Sequence, residues 1–366
     1  MITRNICGIE LDVDPFAANA IYFDEEFAKR LESDEIEVIQ KAIYNSCGVY
    51  HPISVLWELT NQCNYRCPFC YIHYPGAKPY SFIDRGKWLP LIESLVEEGM
   101  LFCTLSGGEC LLHPDFPEIY TTLKERGVIV TVFTNASLLS PIHFDLFRKY
   151  PPYKVEASLY SKLGNSCCTG RDAENAMRNI LQLKDLGVQI VCKTPINRAT
   201  EPEYKQLMEW SKENNIPYYS SVELLATYEG NGLENLRASE DLIASEEQVK
   251  CQNKAASTKK EWGIKRKFDC SGGTFGAFIS YDLGLYPCIS AYGVSEYRYD
   301  LNEHDTHDCI SQLRRRIELE KRESVAGCKG CEYYDVCDRC VLSPYFPEGI
   351  VGKRCEDLAK SITAFL

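Results

Sequence analysis

From residue 54 onward, short apolar runs alternate with longer amphipathic stretches. SVLWELT (54–60), LFCTLSG (101–107), VIVTVFTN (128–135), KVEASLY (154–160), VQIVCKTPI (188–196) and YYSSVELL (218–225) have the length and the β-branched and aromatic content of strands. Between them, WLPLIESLVEEG, FPEIYTTLKERG and NAMRNILQLKDLG carry apolar residues at helical spacing. The last two end at Gly127 and Gly187, directly before the next run, as helices closed by a left-handed residue do. Six such repeats with near-continuous apolar strands predict an α/β fold, a parallel sheet covered by helices. Right-handed crossovers curl it into an open, partial (β/α)6 barrel. Function in such folds lies at the C-terminal ends of the strands.

The flanks break this rhythm. Residues 1–50 read as an extension with a strand-like start and a charged helix over EEFAKRLESDEIEVIQKAI. After about 235 the chain is charged and helical through a linker over 236–269, then irregular and turn-rich from 270 to 366. Among its cysteines are Cys270, Cys288, Cys328, Cys331, Cys337, Cys340 and Cys355. So poor in periodic apolar structure, it is expected to draw stability from metal. The barrel then occupies 51–235. The 366 residues suit two domains, with one large barrel as the competing arrangement.

Composition narrows the classes. A net charge of −12 and a pI near 5.2 argue against a nucleic-acid partner. No apolar run reaches membrane-spanning length. The start, MITRNICGIELDVD, lacks the basic-then-apolar layout of an export signal, so the expected compartment is the cytoplasm. Nineteen cysteines in a reducing compartment, grouped at short spacings, point to metal rather than disulfides. Cys103 and Cys192, inside apolar runs, read instead as small buried hydrophobes.

The densest group is CNYRCPFCYIHYPG, residues 63–76, directly after the first barrel strand. Its spacing is Cys63-x3-Cys67-x2-Cys70. A structural zinc site wants four protein ligands, and so does a closed four-iron cluster. Three thiolates on one loop leave one iron free to hold a small molecule. SGGEC follows the second strand and TNAS the third, at the same end of the sheet. A zinc-stabilised α/β binding protein is the bland alternative, but zinc gives no reason for a three-ligand loop.

In this context the cysteine spacing resembles the radical S-adenosylmethionine (SAM) enzymes, and the resemblance runs over about 52–230. It implies a [4Fe-4S] cluster on Cys63, Cys67 and Cys70, with SAM chelating the open iron. Gly107, Gly108 and Glu109 match the stretch that binds the SAM amino group. The family usually has proline next, where this chain has Cys110. Tyr71 falls where backbone contacts to adenine are made. Glu156 and Ser158 match the fourth-strand positions that hold ribose and carboxylate, and Arg171 is a candidate for the carboxylate.

The C-terminal group, Cys328-x2-Cys331-x5-Cys337-x2-Cys340 with Cys355, Cys270 and Cys288, resembles the SPASM extension of peptide-modifying radical SAM enzymes. Zinc knuckles are the alternative for its C-x2-C pairs. The resemblance implies two auxiliary [4Fe-4S] clusters: an outer one on Cys328, Cys331, Cys337 and Cys355, and an inner one on Cys270, Cys288 and Cys340. YDLGLYPC (281–288) resembles the turn before the second of these cysteines, although three residues rather than four separate Gly284 from Cys288. Cys337 and Cys340 are likewise separated by two residues rather than three. The inner cluster's fourth position is open, or is filled by Cys251 or Cys309.

The implied chemistry is reductive SAM cleavage to a 5′-deoxyadenosyl radical, hydrogen abstraction from a peptide residue, and oxidative crosslinking to a thioether or similar bond. This is the maturation of a ribosomally made peptide. Formylglycine formation in a sulfatase and peptide epimerisation, with the Cys167-Cys168 doublet as hydrogen donor, are the alternatives. The implied partners are a peptide or protein substrate and an electron donor such as flavodoxin or ferredoxin. Residues 1–50 are too few for a full winged-helix leader-binding module. They are a reduced recognition element, or recognition falls to the barrel or to a separate leader-binding protein.

Overall fold

The computed structural model describes residues 1–18, 20–23, 27–30, 33–49, 51–72, 78–160, 173–222, 224, 234–243 and 271–319. All six expected barrel strands form: β5 (Ser54–Glu58), β6 (Phe102–Ser106), β7 (Ile129–Thr134), β8 (Lys154–Ser158), β9 (Ile190–Pro195) and β10 (Tyr218–Ser221). They pair in parallel, in chain order. The crossovers run through α2 (Arg85–Glu97), α3 (Phe116–Glu125), α4 (Pro141–Lys149), α5 (Ala173–Asp185) and α6 (Tyr204–Glu213). Gly127 and Gly187 lie at φ +71° and +78°, the left-handed region their helix-ending role requires.

Strand alternation divides the residues between two faces. Val55, Trp57, Leu105, Val130, Val132, Val155, Ala157 and Cys192 join the core beneath the helices, with Trp88, Ile92, Phe116 and Ile180. The other face carries Glu58, Thr104, Thr131, Phe133, Glu156 and Lys193, so it is polar along its middle. Cys103 and Cys192 are buried hydrophobes, as their runs suggest.

The sheet extends past the barrel. β11 (Gly276–Ile279) pairs in parallel with the free edge of β5, and β12 (Gly284–Tyr286) and β13 (Tyr299–Asp300) add antiparallel strands. Helix α7 (Thr306–Leu319) packs on them through Ile310, Leu313 and Ile317, within the barrel's own core. Residues 271–319 therefore do not lack a core, as their turn-rich sequence suggests; they share one. Because β5 takes β11 rather than β10, the barrel stays open.

The N-terminal extension also differs from its sequence reading. It forms an antiparallel sheet of β1 (Ile2–Ile6), β2 (Ile9–Val13), β3 (Ala20–Phe23) and β4 (Phe27–Arg30), followed by α1 (Ser33–Cys47). Phe27–Arg30 belongs to a hairpin, paired Phe23↔Phe27 through Ala20↔Arg30, and only the later part of the expected helix is helical. A neighbouring strand overrode helical propensity there. Ile6, Leu11, Val13, Ile39 and Ile43 pack on Ile53, Leu101, Ile129 and Phe275, at the N-terminal ends of the barrel strands. Buried Arg4 donates to the carbonyl oxygens of Val96, Met100, Arg126 and Gly127 at 2.8–3.4 Å. The extension thus covers the barrel floor, opposite the cysteine loop. Among the described residues no helix is long and apolar enough to cross a membrane.

Candidate functional site

The cysteine loop grows from the C-terminal end of β5 on a fixed stem. Thr60 donates to the Ser81 carbonyl oxygen at 2.6 Å. Asn61 donates to the Lys78 and Pro79 carbonyls and accepts from the Ser81 N–H. Within the loop, Tyr65 and Phe69 are buried, Phe69 edge-on to Tyr160 with ring centroids 5.2 Å apart. Arg66 donates to the carbonyl oxygens of Cys63 and Tyr65, and the Cys70 N–H to the Cys67 carbonyl. The Tyr65 N–H points at Cys63 Sγ from 3.3 Å, as backbone donors to a ligating thiolate do.

Next to this stem runs the end of β6. The Gly108 N–H donates to Thr60 O and the Glu109 N–H to Gln62 O, both at 2.8 Å. A Cβ on Gly107, at φ +143°, would lie 2.5 Å from Thr60 O, and one on Gly108 would lie 2.4 Å from Gln62 O. Both glycines are required by this close passage. Cys110, where the family has proline, opens a 3-10 turn over Cys110–Leu112 and donates its thiol to the Phe133 carbonyl at 3.2 Å. It ties the turn to β7.

Glu109 is fully buried. Its Oε1 accepts from the Leu111 N–H (3.1 Å) and the Thr134 hydroxyl (2.8 Å), and its Oε2 from the Asn135 N–H (2.7 Å). Burial pushes its pKa up, against the pull of these donors. No cation pairs with it among the described residues. A desolvated carboxylate with acceptor capacity to spare fits an ammonium group. Burial first, and then the Glu109 charge, push the Cys63 thiol up to about 12. The bare loop therefore holds a thiol, and a metal cluster would displace the proton.

Sequence reasoning placed TNAS at this end without assigning it a role. Asn135 Nδ2 donates to Asn64 Oδ1 (2.9 Å) and lies 3.9 Å from Cys63 Sγ, while its Oδ1 accepts from Ser137. Asn64 Nδ2 in turn donates to Ser137 Oγ. These amides clamp the cysteine loop to β7, a contact between residues about seventy positions apart that no local motif encodes.

The remaining expected residues divide. Glu156 is buried between Lys154 (2.6 Å) and Lys193, and Lys193 lies 5.1 Å from the Phe133 ring centroid. Ser158 is half-buried and in register with Lys193. The Tyr71 hydroxyl donates to Glu58 Oε1 at 3.1 Å, and burial raises its pKa. Cys288 is half-buried beside the tyrosine cluster of Tyr281, Tyr286 and Tyr292. Cys309 is fully buried in the core, its thiol 3.9 Å from the Asp300 carbonyl oxygen and pushed up to about 11 by burial. Arg171, Cys167, Cys168, Cys251, Cys270, Cys328, Cys331, Cys337, Cys340 and Cys355 lie outside the described residues.

Comparison with known proteins agrees with this geometry. The sporulation killing factor maturation protein SkfB of Bacillus subtilis is 26% identical over 60% of this chain, a stretch that spans only about half (53%) of SkfB. The AdoMet-dependent heme synthase of Methanosarcina barkeri is 22% identical over 81% of this chain and 93% of its own length. Among solved structures, Streptococcus suis SuiB bound to its precursor peptide SuiA superposes with a TM-score of 0.65 at 16% identity, covering 89% of this chain and 81% of SuiB, and shares the fold. The model of the radical SAM superfamily matches residues 57–210. That stretch begins inside β5, takes in the cysteine loop, the glycine pair and Glu109, and ends in α6; over these residues the chain is similar to the radical SAM superfamily of enzymes.

Proposed function

We propose that the chain is a peptide-maturing enzyme that forms an oxidative crosslink, a thioether or similar bond, in a peptide or protein substrate. The observation that carries this reading is the presence, in one chain, of the three-thiol loop and, after the barrel, nine further cysteines, seven of them in the SPASM-like pattern. Oxidative bond formation releases an electron, and clusters beyond the barrel give it a route out. The outer auxiliary cluster is assigned to Cys328, Cys331, Cys337 and Cys355, the inner one to Cys270, Cys288 and Cys340. The core position of Cys309 favours an open fourth site or Cys251 there. The names of the relatives support the substrate class: SkfB is a maturation protein, and SuiB was solved with a precursor peptide.

When bound and reduced, the cluster and SAM supply the 5′-deoxyadenosyl radical that takes a hydrogen from substrate. The chain's own residues do the rest. Cys63, Cys67 and Cys70 hold the cluster, and Gly107 and Gly108 let the Glu109 turn pass close to its stem. Glu109 accepts the SAM ammonium, and Glu156, Ser158 and Arg171 are assigned to its ribose and carboxylate, with the Tyr71 backbone at adenine. Asn135 holds the carboxylate and the cysteine loop in one frame, so the target C–H bond meets a fixed geometry. Since the described part of the N-terminal extension packs on the floor, leader recognition is assigned to the barrel or to a separate protein, and reduction to a flavodoxin or ferredoxin.

The test is incubation of the reduced holoenzyme with SAM and the short peptides encoded beside its gene, read by mass spectrometry. A product lighter by two hydrogens is expected. A product of unchanged mass in H2O that gains one deuterium in D2O would mean epimerisation, and formylglycine in a sulfatase would mean sulfatase maturation. The match over most of the heme synthase favours a second reading, a tetrapyrrole substrate; turnover of a tetrapyrrole with no peptide product would replace the first.

A further inference from the structure

At the floor of the barrel, away from the catalytic loop, Cys7, Cys47 and His51 place one donor atom each within 4.8 Å of the others. They come from the β1–β2 turn, the last residue of α1 and the approach to β5. We infer that these three side chains form a zinc site that fastens the N-terminal extension to the barrel.

The first argument is the orientation of His51. Its Nδ1 lies 3.2 Å from the Glu98 carbonyl oxygen, which can only accept, so the proton sits on Nδ1. Nε2 then carries the lone pair and accepts from the Cys7 thiol at 3.0 Å, a contact that metal binding would replace. A ligating histidine is arranged in this way, one ring nitrogen fixed by a backbone carbonyl and the other presented to the ion.

The second argument is backbone strain. Cys7 sits at φ +53° and Gly8 at +83°, at the centre of a tight two-residue turn between Ile6 and Ile9. The first of these positions suits glycine, asparagine or aspartate, and a cysteine there carries a conformational cost. The turn's own hydrogen bonds do not need a thiol: the Gly8 N–H donates to Asn5 Oδ1, and the Ser46 hydroxyl to the Cys7 carbonyl at 2.6 Å. What the cysteine adds is a sulfur aimed at His51.

The third is the fixed position of Cys47. The Gly48 N–H returns to the Tyr44 carbonyl at φ +71°, ending α1 so that Cys47 lies beside the Cys7 turn. Two thiolates and one imidazole are the donor set zinc prefers among abundant divalent ions. All three side chains are half-buried, so solvent supplies the fourth ligand. The site is separate from the catalytic cysteines and does not depend on the peptide-maturation reading.

The experiment uses the full-length holoprotein, passed over a chelating resin and analysed for zinc, iron and sulfide. Stoichiometric zinc is expected, with a zinc-edge X-ray absorption spectrum showing two sulfurs and lighter donors. In Cys7→Ser/Cys47→Ser and in His51→Ala, zinc should fall about tenfold or more with iron, sulfide and 5′-deoxyadenosine release unchanged. Should the variants be insoluble, the wild-type spectrum decides alone. An all-sulfur zinc shell would mean zinc lodged in the cluster loops and would overturn the assignment. So would wild-type protein without zinc, or a Cys7–Cys47 disulfide found by peptide mapping.

Discussion

Asn135 donates its backbone N–H to Glu109 Oε2 at 2.7 Å, while its side-chain amide lies 2.9 Å from Asn64 Oδ1 and 3.9 Å from Cys63 Sγ. One residue at the end of β7 thus positions both the buried carboxylate and the cysteine loop. In Asn135→Ala the backbone donor survives and the clamp is lost. Stability should fall by about 1–3 kcal/mol, since Asn64 and Ser137 lose buried partners. Iron should leave faster in the presence of a chelator, with SAM affinity little altered. Unchanged melting and iron retention would remove the clamp from the account.

Glu109→Gln keeps the shape and loses the charge. SAM affinity should weaken about tenfold or more, roughly 1.4 kcal/mol, with iron content unchanged. Burial raises the Glu109 pKa, so wild-type affinity should fall as pH drops through that raised value, and the variant should lose this dependence. The stability sign is opposite. A raised carboxyl pKa favours folding below the unfolded value near 4.5, and that contribution is lost as pH rises through the folded value.

Gly108→Ala places a Cβ 2.4 Å from a backbone oxygen of the loop stem, where no side chain can yield. The expected cost is about 2–4 kcal/mol, with reduced cluster content. A normally stable variant with full iron would mean that the stem and the turn do not touch.

Lys124 on α3 donates to the carbonyl oxygens of Ala17 and Pro151, both at 3.0 Å, and burial brings its pKa down to about 8 from 10.5. The unfolded chain binds the extra proton, so this residue's contribution to stability grows as pH rises from 8 toward 10.5. The difference in melting temperature between wild type and Lys124→Met should widen in favour of wild type over that window. A constant difference would contradict the shift.

The barrel strands were legible because each apolar run, such as VIVTVFTN or KVEASLY, is long enough to be buried on its own. The loop was legible because its three thiols are local in sequence. Strand Phe27–Arg30 was not, since its ladder depends on a partner across a turn. β11 was missed for a similar reason: GAFI sits in turn-rich sequence and finds its partner more than two hundred residues back, on β5. The Asn64–Asn135–Ser137 clamp and the Cys7–Cys47–His51 group are also assembled only by folding, from residues with no common spacing. Glu109 was legible as a residue, but that no cation pairs with it among the described residues became visible only with its surroundings.

In the proposed assignment the outer cysteines and the three-cysteine loop are separate ligand sets, and they should then fail separately. Cys328→Ala or Cys337→Ala should stop peptide product while slow, uncoupled release of 5′-deoxyadenosine persists. Normal peptide turnover by these variants would make that region structural only.

The most direct test of the central claim is chromatographic measurement of 5′-deoxyadenosine from SAM by the reduced, anaerobically prepared protein, beside Cys63→Ala, Cys67→Ala and Cys70→Ala. Formation by wild type, and its abolition in all three variants, is the predicted result. Formation of S-adenosylhomocysteine instead, or 5′-deoxyadenosine release that survives loss of any one of these thiols, would contradict it.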